Sequence, residues 1–161
     1  AAIRLRRPKQ SDLVQRQLAK IDFHICAAKR YLSRYGCPQT IEELKDHTVF
    51  AFSENAITPF DQVDWHIKEA GLSKKKDSNL ILMNSIYAMH RAVESGAGIA
   101  SLPDFLIEEN DDIDSILPNY QFNGLEMYFV YAEEHRHSER LIKFRDFLLE
   151  SIDHTVFSAN F

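Results

Sequence analysis

The chain of 161 residues holds only two cysteines, Cys26 and Cys37. Two thiols make neither a disulfide framework nor a zinc quartet. Both read as small buried or half-buried hydrophobes, which fits a reducing compartment. No apolar run is long enough to cross a bilayer and no signal-peptide pattern opens the chain, so the expected location is cytoplasmic, without membrane insertion or export. An excess of positive charge is missing too. The net charge of -5 argues against a nucleic-acid surface, because phosphate contacts need clustered Lys and Arg. The one basic run, Lys74, Lys75 and Lys76, is followed at once by Asp77 and reads as a solvated loop. GxGxxG, Walker, GxSxG and HExxH patterns are all absent.

What remains is an ordinary globular composition, 45% hydrophobic and 27% charged, at a length that suits one domain or two small lobes. The chain enters mid-strand without a Met, which reads as a piece of something longer. Residues 1–5 are β-like and run into a basic turn ending at Pro8. A polar stretch then gives way to alternating Ile21, Phe23 and Ile25, the pattern of a half-buried strand. Ala28, Tyr31, Leu32 and Tyr35 share a helical face that Gly36 stops, and Thr40 with Glu43 has the spacing of a capping box.

Residues 48–53 predict a strand and 54–59 a loop, while 60–71 fit strand or helix equally. Residues 78–84 predict a buried strand leading into a helix with Ile86, Met89, His90 and Val93 on one stripe. Gly96 ends that helix and Gly98 permits a tight entry into the strand 99–103. Pro103 fits the first turn of the next helix. A short strand near 115–120, the clear strand 125–134, and an amphipathic helix 138–152 carrying Leu141, Phe144, Leu148 and Ile152 complete the pattern. The last residues look like a tail. Strands alternating with helices predict an α/β fold.

Candidate chemistry is sparse. His135 and His137, with Glu133 and Glu134 close by, come nearest to a metal cluster, but nothing is spaced to supply the third and fourth ligands, so no metal is expected. The acids at 108–112 lack the ligand order and central glycine of a calcium loop. Cys26 has nothing nearby to lower its pKa and reads as packed rather than nucleophilic. No catalytic residue and no cofactor is assigned. Asn84 and Ser85 open a helix whose free N–H groups and partial positive charge suit a carboxylate or phosphate. Ordinary capping of their own helix is what most such residues do, and it accounts for Asn84 or Ser85 without a ligand. Ser53, at a strand end, is as ambiguous.

Three stretches taken in order carry a resemblance. "AAIRLRRPKQSDLVQRQLAKIDFHICAAKRYLSRYGCPQTIEELKDHTVFAFS", "AVESGAGIASLPDFL" and "YFVYAEEHRHSERLIKFRDFL" are similar to the effector-binding domain of LysR-type transcriptional regulators over residues 1 to about 152. The resemblance implies a type 2 periplasmic-binding-protein-like fold: two α/β lobes joined by two crossing strands, with a small effector in the cleft. Lobe I would comprise 1–25 plus 124–152 and be incomplete, lobe II would comprise 26–122, and 153–161 would be a C-terminal tail. It makes Asn84 and Ser85 effector contacts, with Ser53 and Arg4 as weaker carry-overs and Cys26 or Ala27 at the hinge.

A small effector, no enzymatic activity, and a dimer or tetramer in the intact bacterial regulator follow from the same resemblance, and the helix start at Asn84 and Ser85 favours an anion as that effector. DNA would be bound only through a winged helix-turn-helix that this sequence does not contain. Two rivals remain on the sequence alone: a solute-binding protein of the same architecture, and a small α/β enzyme whose triad only geometry could reveal.

Overall fold

Alternation of apolar and polar residues sets the first elements, and the computed structural model describes residues 1–5, 12–58, 60, 62–107 and 110–153. In chain order it has β1 (Ala2–Arg4), β2 (Leu13–Ala28), α1 (Lys29–Tyr35), a 3₁₀ turn (Ile41–Asp46) and β3 (Val49–Phe52). There follow α2 (Trp65–Glu69), β4 (Leu80–Met83), α3 (Ile86–Glu94), β5 (Ile99–Pro103), α4 (Asp104–Ile107), β6 (Ile113–Ala132), a 3₁₀ turn (Glu133–His135) and α5 (Glu139–Asp153). The basic turn through Pro8, the acids Glu108 and Glu109, and the tail from residue 154 lie outside the described residues.

The chain divides into two compact units, 1–21 with 123–161, and 22–122. It passes from one to the other within β2 and again within β6.

In the first unit the strand order is β1–β6–β2, with β1 antiparallel to β6 and Ile3 opposite Phe129. The start of β2 meets the end of β6 where the Glu133 N–H donates to Asp12 O at 2.9 Å. Leu18, Phe129 and Tyr131 form the core, and Leu141, Leu148, Leu149 and Ile152 of α5 pack on it. A fully buried ring such as Phe129 contributes about 1.5–3 kcal/mol through the area it removes from water.

In the second unit β2 is followed by β5, β3 and β4. β2 and β5 are antiparallel, with Phe23 opposite Pro103 and Ala27 opposite Ile99, while β5, β3 and β4 run parallel. The end of β2 meets the start of β6 through the Lys29 N–H and Asp112 O, 2.9 Å apart. Ile25, Ala27, Val49 and Ile99 from the strands join Tyr31, Ile41 and Leu44 in one core. The Tyr31 hydroxyl, brought down by α1, accepts from the Thr48 N–H at 3.1 Å and so fixes the entry to β3. Gly98 admits no side chain: a Cβ there would lie 2.6 Å from the Thr48 carbonyl oxygen.

Several local expectations are corrected. The Thr40–Glu43 capping box does not form. Thr40 offers no side-chain bond, and Glu43 reaches past it to accept from the Gln39 N–H at 2.8 Å, because the segment is a 3₁₀ turn rather than an α-helix. β4 is not buried, since it lies last in the strand order and leaves Ile81 45% and Leu82 40% exposed. Cys37 is exposed rather than half-buried. Lys74 is not solvated but pairs with Asp64. Pro103 ends β5 instead of opening a helix, and the two strands expected after residue 113 are one, while residues 65–69, open to either reading, are helical.

Candidate functional site

Parallel strands end on a common edge, and the residues that follow them are the ones free to meet a ligand. In the second unit β3 and β4 end in register, Phe52 opposite Met83. The next residues, Ser53 and Asn84, therefore leave the same edge, and the Ser53 N–H donates to Met83 O at 2.7 Å. Asn84 is exposed and Ser85 half-buried. α3 begins immediately after them, with Ser85 at its N-cap in extended backbone. The Ser85 hydroxyl accepts from the Ala88 N–H at 3.4 Å, so this serine caps its own helix. The remaining N–H groups of the first turn keep the partial positive charge of a helix start. The apolar stripe seats the helix from behind, with Met89 2% and Val93 0% exposed.

The same edge is braced from below by residues no motif marks out. Asp64 accepts the Phe52 N–H with Oδ1 at 2.9 Å and holds Lys74 with Oδ2. His66 is fully buried and its Nε2 lies 3.1 Å from Phe50 O, so the tautomer that donates there leaves Nδ1 as an acceptor without a partner among the described residues. Burial pushes the His66 pKa down, opposed by the Phe50 carbonyl and by Asp64. Phe23, Phe60 and Phe122 form an aromatic cluster, with Phe60 and Phe122 stacked at 5.4 Å. Phe23 lies opposite Pro103, the end of β5, which sets this cluster at the edge where β3 and β4 also finish. A composition-based reading could have found the aromatics as a spacing-independent excess of Phe, but nothing in sequence links residue 60 to residue 122.

Cys26 and Ala27 are fully buried in the β2–β5 ladder, opposite Ala100 and Ile99. The Cys26 thiol donates to His24 O at 3.3 Å, and burial pushes its pKa far up, so it is a neutral packing group whose side chain does not reach the surface. Arg4 is exposed on β1 and belongs to the first unit. The structure thus gathers Ser53, Asn84 and Ser85 on one edge of the second unit.

Two grooves open on the second unit. One of about 420 Å³ is lined by Leu32, Cys37, Pro38, Gln39 and residues 114–120, and one of about 510 Å³ by α2 and residues 119–122. Ser53, Asn84 and Ser85 line neither. No group of three or more His, Cys, Asp or Glu able to hold a metal occurs among the described residues, and no described helix is long and apolar enough to cross a membrane.

Comparison with known proteins meets this geometry. A family model described as LysR substrate binding domain matches residues 1–153. An HTH-type transcriptional regulator of Haemophilus influenzae is 31% identical over 134 residues, covering 81% of this chain and 45% of the relative. The HTH-type transcriptional activator AaeR of Escherichia coli is 27% identical over 135 residues, covering 82% of this chain and 43% of the relative. The chain therefore spans about half the length of the curated relatives it matches. Among solved structures, CrgA, a LysR-type transcriptional regulator from Neisseria meningitidis, matches with a TM-score of 0.73 and 27% identity, over 93% of this chain and 51% of that one. The fold is the type 2 periplasmic-binding-like architecture of such regulatory domains, and the relatives are transcriptional regulators, not enzymes. The chain belongs to the LysR substrate-binding-domain family and matches the regulatory portion of LysR-type transcriptional regulators.

Proposed function

We propose that this domain senses a small anion at the edge where β3 and β4 end, and relays its presence to a DNA-binding domain elsewhere in the intact regulator. The observation that carries the reading is the convergence of Ser53 and the α3 N-terminus, tied by the Ser53–Met83 bond. Free N–H donors at a helix start favour a negative charge by roughly 0.3–1 kcal/mol when exposed, and more when water is displaced. Asn84 is the exposed side chain best placed to add a hydrogen bond. Arg4, exposed on β1, stays in the reading only as a weaker carry-over of the family resemblance. Cys26 and Ala27 enter it as hinge-side backbone positions and not as side-chain contacts.

A ligand changes a regulator only through unequal affinity for two arrangements of it. The anion is thus taken to favour one arrangement of the intact protein, bound to its operator as a homo-oligomer in the bacterial cytoplasm. Tyr87 on α3 and Ile81 and Leu82 on β4, the last strand in the order, are exposed apolar side chains, and they support pairing with a second copy at this end of the sheet. The test is a thermal-shift screen of the intact regulator against small carboxylates and phosphates, since a ligand of the native state raises the apparent Tm. A hit whose shift vanishes in the Asn84→Ala, Ser85→Ala double variant supports the site. A hit that the double variant binds unchanged overturns it.

A further inference from the structure

The groove of about 510 Å³ along α2 lies apart from the residues assigned to the anion. Its size falls inside the roughly 300–1,000 Å³ of small-molecule sites. Trp65, Lys68 and Glu69 of α2 line it together with Gln62 and Asp64 just before the helix and residues 119–122 of β6. We propose that it is a second ligand site, and that its ligand is a neutral sugar ring.

Three observations point to that class. The first is a fixed aromatic plate. The Trp65 indole N–H donates to Ser101 Oγ at 2.8 Å, which locks the ring's orientation while leaving the residue half-buried at the groove. Tyr120 and Phe122 add apolar surface to the lining. A sugar presents a flat face of C–H groups to such rings, and its polar edge points away from them.

The second is the polar lining. Gln62, Asn119 and Gln121 line the groove and are exposed, and each carries an amide able both to donate and to accept. Vicinal hydroxyls need that pairing, whereas an anion would need donors only. The third is charge. Lys68 and Glu69 sit side by side on the wall with opposite signs, and Asp64 at the floor is already neutralised by Lys74. The lining therefore has no excess of either sign to offer an ion.

The floor is also prepared in advance. Asp64 is held by the Phe52 N–H as well as by Lys74, so the wall that carries Trp65 does not have to order itself when a ligand arrives.

Trp65 is the only tryptophan of the chain, so emission excited selectively from tryptophan, apart from the six tyrosines, reports on this groove. The 161-residue chain is titrated with D-glucose, D-galactose and N-acetylglucosamine, with glycerol as a hydroxyl-bearing control that has no ring. A saturable change in emission with at least one sugar and none with glycerol is the expected result. The Asn119→Ala, Gln121→Ala double variant, altered only at exposed strand positions, is expected to weaken binding about tenfold or more, the loss of one to two hydrogen bonds. Emission that stays flat to about 50 mM, beyond a millimolar Kd, overturns the proposal. So does a response shared with glycerol, or one that the double variant retains in full. The anion reading is untouched by any of these results, because its residues lie outside the groove.

Discussion

Lys74 Nζ lies 2.5 Å from Asp64 Oδ2, and both side chains are largely withdrawn from solvent, 23% and 17% exposed. The other oxygen of the same carboxylate holds the Phe52 N–H, so one residue joins α2, the 73–77 turn and the end of β3. Removing either partner leaves the other's charge half-buried.

That joint predicts an order among variants. Asp64→Ala removes both bonds and is expected to cost about 2–3 kcal/mol, whereas Lys74→Met removes only the ion pair and costs about 1–2 kcal/mol. Asp64→Asn keeps the acceptor for Phe52 and should fall nearer to Lys74→Met. Urea unfolding of the three variants checks this. Equal losses for Asp64→Ala and Asp64→Asn would show that the backbone bond contributes nothing.

His66 makes stability depend on pH. Burial lowers its native pKa below the ordinary value of 6.5, so the unfolded chain binds more protons as the pH falls through that value. Stability rises with pH wherever the unfolded state holds the extra proton, and is lost on acidification from about pH 6.5 downwards. His66→Phe removes this site. Its unfolding free energy should be flatter than the wild type's between about pH 7.5 and 5.5, with the carboxylates common to both cancelling in the comparison. Parallel curves would contradict the assignment.

Gly98 is a packing requirement rather than a hinge. The Thr48 carbonyl oxygen that would meet an added Cβ also accepts the Ile99 N–H at 2.9 Å, so it cannot step aside without losing the bond that opens β5. Gly98→Ala is expected to destabilise the second unit by about 1–3 kcal/mol, the usual range for overpacking. Gly71→Ala meets no atom and is strained only through its positive φ of 68°. Comparing their denaturation midpoints separates contact from conformation.

Periodicity made much of this fold legible. The stripe of Met89 and Val93 is buried where its spacing puts it, and Leu141 and Leu148 of α5 pack on the first unit's core. What periodicity could not show was length and neighbourhood. β2 starts at Leu13 although Gln15, Arg16 and Gln17 are polar, because ladder bonds to a neighbour hold a polar strand as well as an apolar one. "LILM" is as apolar as any buried strand, yet it ends the order of strands and keeps one edge open.

The candidate site was legible only in part, for a related reason. Ser53 and Asn84 stand at strand ends that any α/β pattern would flag, and their meeting depends on the parallel register of β3 and β4. Asp64, His66 and Lys74 carry no local signature. Their partners are backbone groups of β3 and each other, contacts between residues 10 to 16 apart in sequence. Trp65 likewise finds Ser101 across 36 residues.

Ser85 allows the cap and the ligand site to be tested apart. Its hydroxyl accepts from the Ala88 N–H, so Ser85→Ala should cost about 1 kcal/mol of stability through the cap alone. Ser85→Asp keeps an acceptor at the N-cap and adds a negative charge where the helix start welcomes one, so stability should hold or rise by a few tenths of a kcal/mol. An anion bound at the same N–H groups would meet that charge directly. Both variants should then weaken binding of the anion found by the thermal-shift screen, Ser85→Asp by about tenfold or more, while only Ser85→Ala lowers the Tm of the free protein. Isothermal titration beside thermal unfolding reads the two effects separately. Undiminished affinity in Ser85→Asp would leave Ser85 a helix cap and nothing else.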